Sequence, residues 1–218
     1  MRNLFVLILA LAVPAAALAQ STPDVDICAG TSGTADERIA ACTRAITSGQ
    51  LSTASLAITF HNRGVEWSNK RDYDRAIADY NEALRLNPQY AIAYTNRGNA
   101  WRDKGDAGRM MADYDEALRI EPANAARHNT IAWVLATHGN DKVRGGKRAI
   151  ELAQKACELT AWKVASHIDT LAAAHAEAGQ FAEAVRWQEK VLEFPDFAKD
   201  ADAQKRLALY RAGNPYRQ

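Results

Sequence analysis

Patterns that carry chemistry are scarce in this 218-residue chain. Its five histidines, His61, His128, His138, His167 and His175, show neither a His-x-x-x-His nor a His-Glu-x-x-His spacing, so no zinc or other metal site is expected. No nucleophile stands beside a base in a recognisable arrangement. Gly145-Gly146-Lys147 resembles the end of a phosphate-binding loop but lacks the earlier glycine and a preceding strand, and it reads as a turn. Catalysis and cofactor binding are therefore not expected. Charge of one sign is missing too: 27 Lys and Arg face 26 Asp and Glu, and without Arg2 the two signs balance. Nothing steers the protein to nucleic acid or to an acidic lipid surface.

The apolar run Leu4 to Val13 is short for a membrane span of about 20 residues. With Arg2 before it and Ala17-Leu18-Ala19 after it, Met1–Ala19 reads as a secretory signal cleaved ahead of Gln20, which places the mature chain in the periplasm or outside the cell. No cysteine directly follows the cleavage point, where Gln20 stands, so a lipid anchor is not expected.

What the chain does contain is an internal repeat. Residues 57–88 return 34 positions later as 91–122 with 17 of 32 positions identical, among them Asn62/Asn96, Arg63/Arg97, Gly64/Gly98, Trp67/Trp101, Tyr80/Tyr114 and Pro88/Pro122. The period of 34, with Phe60, Gly64, Trp67, Ala76, Tyr80 and Pro88 spaced as aromatic, glycine, aromatic, small, aromatic and proline, resembles the tetratricopeptide repeat family. It is most similar to small secreted bacterial members. The resemblance implies an all-α, right-handed α-solenoid of helical hairpins, each made of a helix A and a helix B. Such an architecture forms a groove without naming a ligand.

The same ruler extends both ways. A third repeat, 123–162, has His128, Ile131, Ala132 and Leu135 on its helix A and Ala149, Ala153 and Ala156 on its helix B, with a five-residue insertion around 138–147. That insertion carries Lys142, Arg144, Lys147 and Arg148, which read as a solvated loop; contact with an anionic partner is the alternative. A fourth repeat covers 163–197, and 198–218 reads as a capping helix with a tail. Before the first full repeat, 20–56 forms a cap in which Thr34-x-x-Glu37 is a capping box ahead of a helix from Asp36 to Ile46. Export implies an oxidising compartment, so Cys28 and Cys42 are expected to pair and to pin an irregular N-terminal strand to that helix. Cys157 takes the place of Leu84 and Leu118 and reads as a small buried hydrophobe.

Two further expectations come from comparing repeats. Arg63 and Arg97 stand where the family pattern has leucine, with Asp79 and Asp113 sixteen residues on; in the later repeats the same places hold Ile131 with Leu152 and Leu171 with Trp187. An ion pair across each of the first two hairpins, replaced by apolar contact later, accounts for the joint change.

In the family, ligands usually lie in the concave groove lined by the A helices. If the fourth, seventh, eighth and eleventh positions of each repeat pack inward, the second, fifth, ninth and twelfth form the free stripe. That stripe holds His61, then Thr95, Asn99 and Arg102, then Asn129 and Trp133, then Asp169. The carboxylate clamp of the chaperone-binding members is not supported, because His61, Val65, Ala126 and Thr130 replace its charged and amide residues. Trp67 and Trp101 sit at the inward eleventh position and read as core. Trp133, at the ninth, has no obvious partner within its hairpin and reads as an apolar anchor for a bound segment, with Asn99, Arg102, Asn129, His61 and Thr95 as polar contacts. The function expected is therefore a non-enzymatic adaptor for an extended, largely neutral peptide, with self-association into a scaffold as the alternative.

Overall fold

Eleven helices and no strand form among residues 23–30 and 32–218, the part of the chain that the computed structural model describes; the leader expected at Met1–Ala19 lies outside it. They are α1 Pro23–Ala29, α2 Ala35–Thr47, α3 Thr53–Asn69, α4 Tyr73–Leu86, α5 Ala91–Asp103, α6 Ala107–Ile120, α7 Ala125–Thr137, α8 Gly146–Leu159, α9 Ala165–Glu177, α10 Phe181–Leu192 and α11 Ala201–Arg211. The chain is an all-α solenoid. Helices α3/α4, α5/α6, α7/α8 and α9/α10 are its hairpins, and each hairpin packs on the next.

Local chemistry sets the helix ends. At α2 the capping box is reciprocal: Glu37 N donates to Thr34 Oγ1 at 3.2 Å, and Thr34 N donates to Glu37 Oε2 at 2.7 Å. Asp72, Asp106, Asn124 and Asp200 cap α4, α6, α7 and α11 by accepting from the amide three residues on. Between the helices of a hairpin the chain passes through the left-handed region, at Gly105 (φ 81°) and Gly179 (φ 75°), whereas Arg71 takes the same conformation at φ 61°. The connection 138–145 replaces three-residue turns such as 70–72 and is the expected insertion.

One expectation fails at the N-terminal end. Residues 23–29 are not an irregular strand but the helix α1, started by Pro23 with Asp24 and Asp26 in its first turn, where proline costs no hydrogen bond and carboxylates meet free amides. The pairing of Cys28 with Cys42 is present, with Cα atoms 4.8 Å apart and both residues buried, and it ties α1 to α2.

Inside the first two hairpins the paired substitutions are explained. Arg63 grips Asp79 with Nε and Nη2 at 2.8 and 2.7 Å, and Arg97 grips Asp113 at 2.9 and 2.6 Å. Each arginine also reaches the preceding helix, Arg63 to Thr43 Oγ1 at 3.1 Å and Arg97 to Asn81 Oδ1 at 2.6 Å. One fork thus joins three helices. In the third repeat the equivalent Ile131 and Leu152 are buried in the apolar core. A second exchange runs beside it. A Cβ on Gly64 or Gly98 would stand 2.8 or 2.7 Å from Tyr80 or Tyr114, so glycine is what lets the tyrosine ring lie against helix A. Later repeats place Ala132 with Ala153, and Ala172 with Gln188, at these positions: as the ring disappears, the glycine gains its methyl group.

Candidate partner-binding face

The stripe read from helical spacing divides by position. Its second position is exposed: Ile58 is 48 % and Ile92 43 % accessible, large for aliphatic side chains on a folded surface. Its fifth position is closed in the first, second and fourth repeats. His61 lies between repeats, its ring 5.1 Å from that of Tyr90 and 5.8 Å from that of Tyr80, with Asn96 Nδ2 2.9 Å from its Nε2. Thr95 is buried, donates to Ala91 O at 3.1 Å and receives Arg127. Both residues were expected as open contacts, and neither is on the surface, because a side chain of the following A helix closes over each. Asp169 is closed in the same way by Arg206 of α11, whose Nε donates at 2.9 Å, and by Gln188 at 2.8 Å. Burial raises the Asp169 carboxyl, against the pull of those two donors.

The remaining candidates do share a face. Asn99 accepts from the Tyr114 hydroxyl at 2.5 Å and stays half-buried. Arg102 Nε donates to Asp103 at 2.6 Å while lining a polar cleft of about 770 Å³ with Arg71, Tyr73, Lys104, His138, Asn140 and Gln218. On α7, the buried Asn129 Oδ1 makes no hydrogen bond among the described residues, an arrangement that normally costs stability unless a donor arrives. Trp133 lies one turn further along the same face.

Trp133 is half-buried and has partners the spacing did not show. The Tyr216 ring sits 5.9 Å from it and the Arg206 guanidinium 5.8 Å. At the twelfth position Ser68 and Arg102 are partly open while Ala136 and Ala176 are buried. The A-helix face is thus accessible over the first two repeats and covered by α11 and residues 214–218 over the last two. The insertion cations are partly engaged: Arg144 pairs with Glu177 at 3.0 Å and Arg148 with Asp115 at 3.1 Å.

Burial lowers the His61 pKa, opposed by the Asn62 side chain. The unfolded ring gains its proton near pH 6.5 and the folded ring resists it, so the stability this ring contributes is complete above about pH 6.5 and declines below it. His61→Gln is expected to flatten the fall in melting temperature between about pH 7 and pH 5, leaving the contribution of His167, which burial also lowers. An unchanged slope would refute this assignment. Burial likewise pushes the Cys157 thiol up to about 12, so the native protein should resist thiol reagents until denaturant is added; rapid labelling would contradict its place in the core.

Among the described residues no group of three or more His, Cys, Asp or Glu could hold a metal ion, and no helix is long and apolar enough to cross a membrane. Family models described as TPR repeat and tetratricopeptide repeat match residues 70–105, 91–124 and 164–194. No curated protein matches the sequence. Solved structures do match its shape. YrrB, a TPR protein with an unusual peptide-binding site, is 25% identical with TM-score 0.58, over 78% of this chain and 82% of its own. A tetratricopeptide repeat protein from Parabacteroides merdae is 13% identical with TM-score 0.69, over 82% and 66%. A thermophilic TPR protein of Thermus thermophilus is 18% identical with TM-score 0.58, over 82% and 91%. Repeat period, hairpin solenoid and family models agree, and residues 70–124 and 164–194 of this solenoid are tetratricopeptide repeats.

Proposed function

We propose that the chain is an exported, non-enzymatic adaptor that holds an extended segment of a partner protein across its A-helix face, from Asn99 and Arg102 to Asn129 and Trp133. The observation that carries this reading is that an extended segment already lies there: residues 214–218, outside any helix, cross to α7 and donate Gln218 N to Thr137 O at 2.9 Å. A face that accepts the main chain of one segment has the geometry to accept another. The unpartnered Asn129 Oδ1 and the exposed Ile58 and Ile92 supply an acceptor and two apolar contacts elsewhere on the A helices. The peptide-binding site of YrrB supports the reading by likeness of fold. Export rests on Met1–Ala19 and on the disulfide, which suits an oxidising compartment.

The reading is tested with a photo-crosslinking amino acid at position 99, and separately at the exposed position 155 on α8, in cells making the full-length protein. A discrete crosslinked partner at 99 that is missing at 155 is expected. Identical products at both positions, or none at 99, would remove the A-helix face as the binding surface.

A further inference from the structure

The segment that crosses the A-helix face is held by contacts of a particular chemistry, and, given the reading above, they specify what a partner must present. The chain leaves α11 through Gly213 (φ 71°), and Asn214 N donates back to Leu209 O at 2.9 Å. Tyr216 then lies against Trp133, with the Arg206 guanidinium 5.8 and 5.7 Å from the two rings. The next residue, Arg217, places Nη2 2.5 Å from Glu177 Oε2 and donates Nη1 to Ala136 O at 3.4 Å. Glu177 is only 13 % exposed at its side chain and is held in place from the other side by Arg144. An aromatic ring on a rigid tryptophan, a cation on a fixed carboxylate and a main-chain hydrogen bond are how extended peptides are recognised.

The segment is also lightly held. Tyr216 is half-buried, Arg217 and Gln218 are exposed, and one main-chain bond secures its far end. Gln218 lines the 770 Å³ cleft together with Arg102 and Arg71, so the cleft is continuous with the face on which this segment lies.

We propose that residues 214–218 stand in for the partner: the face recognises an extended protein segment in which an aromatic residue is followed directly by a basic one, and the partner binds by displacing the chain's own Tyr216-Arg217. A tethered segment competes at an effective concentration in the millimolar range, so an incoming segment is disfavoured until that competition is relieved.

The probe is a fluorescein-labelled peptide of sequence Gly-Asn-Pro-Tyr-Arg-Gln, and the readout is anisotropy with the full-length protein. Tyr216→Ala with Arg217→Ala is expected to bind it at least about tenfold more tightly than wild type. Replacing tyrosine or arginine by alanine in the peptide should weaken binding to that variant at least about tenfold. A variant that keeps its melting temperature yet binds no better than wild type overturns the proposal. So does a wild-type dimer that the two substitutions abolish, because the occupant would then be a second copy. Should the variant melt far below wild type, the test moves to wild-type protein carrying 3-fluorotyrosine: millimolar peptide must shift the Tyr216 fluorine resonance toward that of a solvent-exposed ring, and an unmoved resonance overturns the proposal. Partner crosslinking at position 99 that survives either failure leaves the adaptor reading standing, whereas loss of both removes it.

Discussion

Asp113→Ala alone is expected to lower stability by about 3 kcal/mol, near the bottom of the range for breaking a buried ion pair, because Arg97 keeps 20 % of its side chain exposed and water can partly solvate it. The loss is larger than a deleted methyl group would give. Asp113 satisfies both arms of the guanidinium fork, and without it Arg97 retains only Asn81 and the Tyr94 ring beneath it. For a protein of this size the melting temperature should fall by about 6 to 12 °C, read by circular dichroism. The companion variant, Arg97→Ile with Asp113→Leu, copies what the third repeat already has in Ile131 and Leu152. It is expected to recover most of the loss, because replacing both charges by apolar groups leaves nothing buried and unpaired. A double variant no better than Asp113→Ala would mean that the joint change between repeats is not an exchange of one contact for another.

That pair was legible in the sequence for a physical reason. Two positions sixteen apart that change character together, in a repeat whose hairpin brings them side by side, leave contact as the economical explanation. The helix starts were legible for a similar one: Thr34 and Glu37 act on backbone amides within a single turn, so the signal is local. The exposure of the stripe was not. Helical spacing orients a side chain relative to its own axis and carries no information about what the next helix lays over it. His61 and Thr95 were assigned to the open face and are closed by Asn96 and Arg127 from the following repeat. Asn99, Arg102, Asn129 and Trp133 do fall along one face, but the cover on Trp133 comes from Tyr216, far along the chain and in a stretch with no periodicity to read. α1, at seven residues, is too short to show a helical repeat of apolar residues, which is why it read as irregular.

Removing the disulfide, by Cys28→Ser with Cys42→Ser, is expected to cost about 3 kcal/mol, the chain-entropy value for a loop of about 15 residues. The burden falls at one end of the array. Among the described helices α1 touches only α2 and α3, so without the covalent link it is held by packing on those two and by contacts such as the Asp24 to Arg44 pair, whose arginine is 58 % exposed and adds little. Both serine hydroxyls would also enter sites that are 5 and 0 % accessible, adding desolvation unless they find acceptors. Because solenoid stability is a sum of repeat and interface terms, the loss should stay local. Hydrogen exchange is expected to accelerate by about a hundredfold in α1 and the first turns of α2, with amides of α5 to α10 near their wild-type rates. Uniform acceleration through α10 would show instead that the cap holds the whole array together. A wild-type-like exchange pattern would show that packing alone, without the bond, keeps α1 in place.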